Sequence, residues 1–347
     1  MNVDAAFLFV TCQIGAEPAV KAELARRWPA FRFSYSRPGF LTFKLPYYFK
    51  TSDDFELESV FARAYGFSLG KATGKDLAAQ VAKLTEGRSF DRLHSWSRDE
   101  YPPGAHGYQP GATDQAAAAA EQIRAALGDC LKAEDASSVA RVGETVLDCV
   151  LVKPAEWWIG WHRAAEFATR YPGGMLNLKM PEKAVSRAWL KMEESVRWSQ
   201  LPIRRGDECA EIGCAPGGSC QALLRRGLTV VGVDPAEVDP LVLEHPRFTQ
   251  IRKRGSEVRR REFRKTKWLT ADMNVAPSYT LDTVEAIVTY PQVNVRGLLL
   301  TLKLPDWHLA DELPEYLARV RSWGYDEARA RQLQYNRQEV CVAALKK

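Results

Sequence analysis

The stretch Glu211–Gly218, EIGCAPGG, followed by Leu228–Asp234, LTVVGVD, decides how this chain folds. A strand over 207–212 runs into a glycine-rich turn. The segment SCQALLRRG then reads as a helix ended by Gly227, and a short buried strand closes on Asp234. This is one strand–turn–helix–strand unit of an open α/β sheet. In such sheets ligands bind off the carboxyl ends of the strands, where the strand order reverses. The turn comprises Gly213, Cys214, Ala215, Pro216, Gly217 and Gly218. Its glycines let backbone approach a ligand that a Cβ would obstruct. It is not G-x-G-x-x-G, so it does not argue for a dinucleotide. Asp234 sits where a carboxylate can bind two ribose hydroxyls, and with the turn it favours S-adenosylmethionine over NAD as cofactor.

Outward from this unit, FTQIRKRG, TKWLTADM, EAIVTY, GLLLTLKL and EVCVAAL are strand candidates. The segment ADELPEYLARVRSWGY is a helix with Leu313, Leu317 and Val320 on one face. Tyr171-Pro172-Gly173-Gly174 interrupts both periodicities and sets a boundary, so residues 175–347 are expected as a doubly wound, Rossmann-like sheet. Four charged residues stand around the loop: Lys191 upstream, then Asp272, Lys303 and Glu339. Singly, the first would be a surface lysine and the two acids ordinary turn and edge charges. Lys303 is harder to dismiss, because LLLTLKL is otherwise almost wholly apolar and buried lysines are rare unless paired or functional. An antiparallel last strand would begin with Glu339 at the edge where its parallel neighbours end.

This K-D-K-E order around a glycine loop resembles the FtsJ-like ribose 2′-O-methyltransferases. The resemblance implies methyl transfer from S-adenosylmethionine to a ribose hydroxyl, with Lys303 as base, Lys191 and Asp272 as positioning groups, and Glu339 supporting the hydroxyl or Lys303. Asp272 is expected to touch the cofactor as well. A free lysine titrates near ~10.4, so a lysine base needs a pKa depressed by burial and a neighbouring cation, here Lys191. The two carboxylates partly oppose that depression.

Within this group the chain looks most like the bacterial ribosomal RNA large subunit methyltransferase M (RlmM) family. The matching stretches are SRAWLKMEE, CAPGG, ADMNVAP, LKLP and ARQLQYNRQEVCV. That likeness implies a cytidine of large-subunit ribosomal RNA as substrate and a THUMP-containing N-terminal half. Two positions depart from the pattern. Ser219 stands where Trp usually follows PGG, and Arg254 where an acidic residue usually lies near the adenine.

In the N-terminal half, AFLFVT reads as a strand and EPAVKAELARRW as a helix with Pro18 in its first turn. FRFSYS and FLTFKL form a hairpin around Arg37-Pro38-Gly39. These features suit a ferredoxin-like domain over 1–72. A Gly/Pro-rich loop is expected over 87–113, whose Trp96, Tyr101 and Tyr108 more often pin a loop than stack on bases. An alanine-rich helix capped by Thr113 or Asp114 follows, and then ETVLDCVLV and EWWIGWHRA as strands around Lys153-Pro154-Ala155. Residues 73–170 would be the THUMP-like, RNA-binding part, with Trp157, Trp158 and Trp161 in its core.

At 347 residues, 46% hydrophobic and 26% charged, the composition is that of a soluble protein of two or three domains. No apolar run approaches the ~20 residues that span a bilayer, and the acidic start does not read as a secretory signal, so cytoplasm is expected. Seven cysteines without a CxxC pair read as reduced thiols, and five scattered histidines imply no metal. Net charge is only +5, yet Arg252–Lys267 holds nine Lys/Arg against two Glu. Arg252, Lys253, Arg259, Arg260 and Arg261 are candidate RNA phosphate contacts. A monomer acting on RNA is expected, with neither DNA nor a membrane as partner. The absence of an N/D-P-P-Y/F motif disfavours methylation of a base amino group. The alternatives are a non-catalytic RNA-binding or ribosome assembly factor that retains the fold, and methylation of a protein or small molecule.

Overall fold

The computed structural model describes residues 5–52, 55–132 and 138–347; part of the signal-peptide reading rests on residues 1–4, outside these ranges. Contacts divide the chain into two compact units, residues 1–177 and 178–347. Among the described residues no helix is long and apolar enough to cross a membrane.

The first unit contains strands β1 (Phe7–Cys12), β2 (Arg32–Arg37), β3 (Phe40–Lys44), β4 (Ala62–Thr73), β5 (Arg92–Ser97), β6 (Thr145–Lys153) and β7 (Glu156–Arg163). Its helices are α1 (Glu17–Arg27), α2 (Leu77–Leu84) and α3 (Asp114–Leu127). The strands form one sheet in the order β2-β3-β1-β4-β7-β6-β5, antiparallel except for the parallel β5–β6 pair. The expected hairpin closes on Pro38-Gly39, where Gly39 takes a positive φ that favours glycine in a two-residue turn. Thr113 caps α3, its hydroxyl accepting from the Ala116 N–H at 3.1 Å.

Two expectations change here. The line between residues 72 and 73 falls inside β4, which pairs with β1 on one side and β7 on the other, so one sheet runs through it. The expected loop over 87–113 contains β5. Leu93 and Trp96 bury themselves against the sheet, and Arg92 is satisfied by a two-pronged pairing with Glu144, so a polar-looking segment becomes a largely buried edge strand. Trp96 packs with Phe9, Phe40 and Val150, and Trp157 and Trp161 are likewise buried.

The second unit contains α4 (Ala188–Ser199), β8 (Glu208–Ile212), α5 (Gly218–Arg225), β9 (Thr229–Val233), α6 (Pro240–Leu243), β10 (Phe248–Ile251), β11 (Trp268–Ala271), α7 (Pro277–Val288), β12 (Gly297–Lys303), α8 (Leu313–Ser322), β13 (Glu327–Arg331) and β14 (Glu339–Leu345). The sheet order is β10-β9-β8-β11-β12-β14-β13. The five strands from β10 to β12 are parallel, and β14 runs antiparallel to both neighbours, as the sequence suggests. The order reverses between β8 and β11, so a crevice opens at their carboxyl ends. EAIVTY is not a strand but the end of α7. Pro277 starts that helix, and Leu281, Val284, Ile287 and Val288 fall at helical spacing and bury against the sheet. The edge strand β13, EARAR, has too few apolar residues to be recognised before its partner β14 is known.

Candidate active site

Each strand that ends at the crevice delivers one group. The turn from Gly213 follows β8, Asp234 follows β9, Asp272 follows β11, and Lys303 is the last residue of β12. Glu339 begins β14 and is the register partner of Lys303. Lys191 reaches the same place from α4, which packs on α5, β12 and β14.

The four charges alternate in a closed ring. Lys191 Nζ donates to Asp272 Oδ2 at 2.5 Å and contacts Glu339 Oε1 at 2.8 Å. Lys303 Nζ donates to Asp272 Oδ1 at 2.9 Å and to Glu339 Oε2. The formal charges cancel, so every charged atom is compensated although three of the side chains are largely out of water. Lys303 is the most accessible member, its side chain 23% exposed against 10% for Lys191 and 6% for Glu339.

The expected depression of the Lys303 pKa is not present in this arrangement. Burial alone would lower it, but attraction from Asp272 and Glu339, with their hydrogen bonds, raises it above the ordinary lysine value. The carboxylates respond in the opposite sense. Burial would raise Asp272 and Glu339, yet Lys191 and Lys303 hold both below the usual range. Beneath the ring, complete burial pushes Glu211 up to about 8, so at neutral pH it is mainly the uncharged acid and adds little negative charge to the site.

Beside the ring lies an open cavity of about 540 Å³, within the size range of small-molecule sites. It is lined by Gly213, Ala215, Asp234, Lys253, Arg254 and Asp272, among others. A Cβ on Gly213 would stand 2.7 Å from the Asp272 carbonyl oxygen, so only glycine lets the turn pass there. Asp234 accepts from the Ala215 N–H through Oδ2 at 3.1 Å and from the Ala236 N–H through Oδ1 at 2.8 Å. Each oxygen retains a lone pair for a further donor, which suits a vicinal diol.

Of the sequence-selected turn residues, Gly213 and Ala215 line the cavity, whereas the other four shape the turn. Cys214 is buried, and the Pro216 carbonyl accepts from the Asp239 N–H at 2.9 Å. Gly217 packs against Val238 and Val242, and Gly218 against Ser186. Ser219 is buried and shares a water-sized void with Lys191 and Asp272. In the basic segment, Arg252, Lys253, Arg259 and Arg261 are exposed. Arg260 is half-buried and donates to the Val258 carbonyl at 2.6 Å, so its guanidinium is tied to its own backbone. The sequence reading passed over Arg187 and Arg337, whose like charges lie close enough that burial and Arg337 together lower the Arg187 pKa.

Residues 184–310 match the family model of the FtsJ-like methyltransferases. The chain carries an FtsJ-like methyltransferase domain. Lys191, Asp272 and Lys303 fall inside the matched span, and Glu339 is supplied beyond it by β14. The ribosomal RNA large subunit methyltransferase M of Hahella chejuensis is 30% identical over 185 residues, covering 50% of this chain and 46% of that protein. The protein of the same name from Halorhodospira halophila is 30% identical over 179 residues, covering 50% of this chain and 51% of its own length. The chain thus spans about half the length of the curated relatives it matches. Among solved structures, TrmN from Thermus thermophilus aligns over 98% of this chain and 99% of its own, at 13% identity and a TM-score of 0.35.

Proposed function

We propose that this chain methylates a ribose 2′-hydroxyl of RNA with S-adenosylmethionine, the substrate being a cytidine of large-subunit ribosomal RNA. The observation that carries the reading is the alternating ring of Lys191, Asp272, Lys303 and Glu339 at the mouth of a nucleoside-sized cavity. A sugar hydroxyl is a poor nucleophile, so transfer to it gains from a base held in line with the acceptor oxygen. The cofactor supplies an electrophilic methyl group on a sulfonium centre. Asp234 would hold its ribose, and Gly213 and Ala215 would let it lie against backbone.

Lys303, as the most exposed member, is the group that receives the hydroxyl proton at Nζ. Asp272 and Glu339 fix its direction, and Lys191 keeps those carboxylates from presenting uncompensated charge to the acceptor. The exposed Arg252, Lys253, Arg259 and Arg261 would follow the RNA backbone, with the first unit as a THUMP-like RNA-holding module. The enzyme would act as a cytoplasmic monomer.

The raised pKa of Lys303 favours one competitor, a ribosome assembly factor that binds RNA without catalysis. Incubation of the purified chain with methyl-labelled S-adenosylmethionine and ribosomal RNA, followed by nucleoside digestion, separates the two. Label on a ribose is the expected result. Label on a base overturns the proposal, and tight RNA binding without any transfer supports the assembly factor.

A further inference from the structure

Adjacent strands of the N-terminal sheet gather three side chains that lie far apart in sequence. His94 on β5 is the register partner of Asp148 on β6, and Asp148 in turn faces Gly160 on β7, two residues from His162. Side chains two apart on a strand share a face, so His162 comes to the same side of the sheet. All three are buried, at 1%, 0% and 5% exposure. One potential ligand atom from each lies within 4.8 Å of the others.

The hydrogen bonds in this cluster do not close. His162 Nδ1 meets Asp148 Oδ2 at 2.7 Å, and Nε2 meets the Thr169 carbonyl at 2.7 Å, so Nε2 must carry a proton. The His94 ring bonds the Ser138 backbone, yet its Nε2 has no partner, and neither does Asp148 Oδ1. Two unmatched polar atoms in one buried cluster are costly, and a buried carboxylate with an unmatched oxygen is the costlier of them. A Cβ on Gly66 would lie 2.8 Å from Asp148 Oδ2 and 2.7 Å from the Phe9 ring, so only glycine leaves room for the carboxylate.

We propose that His94, Asp148 and His162 bind a zinc ion that ties β5, β6 and β7 together. Two imidazoles and one carboxylate are a donor set that zinc accepts, with water in the fourth position. Each ring already spends one nitrogen on a backbone group, which is how ligating histidines are held in one tautomer. Burial of all three residues leaves no approach for a substrate, so the ion is structural. Ligands at tetrahedral zinc stand about 3.3 Å apart, so His162 Nδ1 and Asp148 Oδ2 would part by about 0.6 Å while His94 closes in.

The test uses the full chain, freed of loosely held metal by buffer exchange over a chelating resin, with metal counted by mass spectrometry. Retention or uptake of one zinc per chain is expected. The cobalt-substituted protein should show the visible absorption of a tetrahedral site. His94→Gln and His162→Gln should each weaken zinc binding about 10- to 100-fold or more while far-ultraviolet circular dichroism is unchanged. A wild-type chain that takes up no zinc, or variants that bind it equally well, overturns the proposal. Should both variants misfold, melting of the wild-type chain decides. A melting temperature lowered by a strong chelator and restored by zinc supports the site, and one indifferent to both refutes it.

Discussion

Lys303 and Glu339 are register partners across the antiparallel β12–β14 pair, so one set of backbone hydrogen bonds places amine and carboxylate side by side. A slip of one residue in that register would turn Glu339 to the other face of the sheet. The parallel β11–β12 pairing sets the height of Lys303 against Asp272, which follows β11 at the same edge. The ring is thus fixed by strand ends, which are stiff, and closed from outside the sheet by Lys191.

Replacing Lys303 with alanine should slow methyl transfer severely without loss of fold. Asp272 and Glu339 would each keep Lys191, at 2.5 and 2.8 Å, so neither carboxylate is left unpaired. Loss of a general base costs roughly 10²–10⁴-fold in rate. Single-turnover assays should show that loss, with cofactor affinity by calorimetry within about threefold of wild type, since a change under ~0.7 kcal/mol is expected when no group touching the ligand is removed. Retained turnover would exclude Lys303 as the base.

Asp234→Ala should act on the cofactor instead. The carboxylate orders the turn through the Ala215 and Ala236 N–H groups and has acceptor capacity to spare. Removing hydrogen bonds to a charged group costs about 1.5–3 kcal/mol, which is roughly a 10- to 150-fold loss of affinity. Calorimetric titration with S-adenosylmethionine measures it. Unchanged affinity would move the ribose site elsewhere in the cavity.

The turn, Asp234, Asp272, Lys303 and Glu339 were legible in the sequence because each sits at a strand end, where a polar residue interrupts an apolar run, whereas Lys191, on α4, stood out only through its place in the K-D-K-E order. GLLLTLK ending in lysine is the clearest case. The pKa of Lys303 was not legible, since its sign depends on which opposite charges lie within hydrogen-bond distance, and that is decided by register. EAIVTY was misread because a short apolar run has no unambiguous period until Leu281 and Val284 are counted with it. His94 and His162 look scattered for a related reason. Nothing in the spacing of the two histidines links them, and only the strand order and register make them neighbours of Asp148. The β5 strand escaped notice because its burial is carried by Arg92 and His94 as much as by Leu93 and Trp96.

The basic segment should divide by residue. Substituting the exposed Arg252, Lys253, Arg259 and Arg261 with serine should weaken RNA binding and flatten its salt dependence, by about 0.7–0.9 in the log–log slope for each phosphate no longer neutralised. Arg260→Ser should leave that slope alone and lower thermal stability, because its guanidinium serves the Val258 and Gly255 carbonyls. Filter binding across a salt series, with melting curves, distinguishes the two classes. An Arg260 variant that loses only RNA affinity would contradict the assignment.

Activity and stability should part company as pH rises. Lys303 has its pKa raised in the folded chain, so its pairing contributes stability in full below the unfolded value of about 10.4 and loses it above. Asp272 and Glu339 have theirs lowered, so their contribution is in full above the unfolded values of about 4 and fades as pH falls through the folded ones. The difference in urea midpoint between wild type and Lys303→Met should therefore stay flat from about pH 5 to 10. Over the upper part of that window the rate should still climb. The free-amine fraction of a base with so high a pKa grows about tenfold per pH unit, so log(kcat/KM) should rise with unit slope from neutrality to about pH 10. A profile that levels off near pH 8 while the urea difference remains flat would mean that a group other than Lys303 takes the proton.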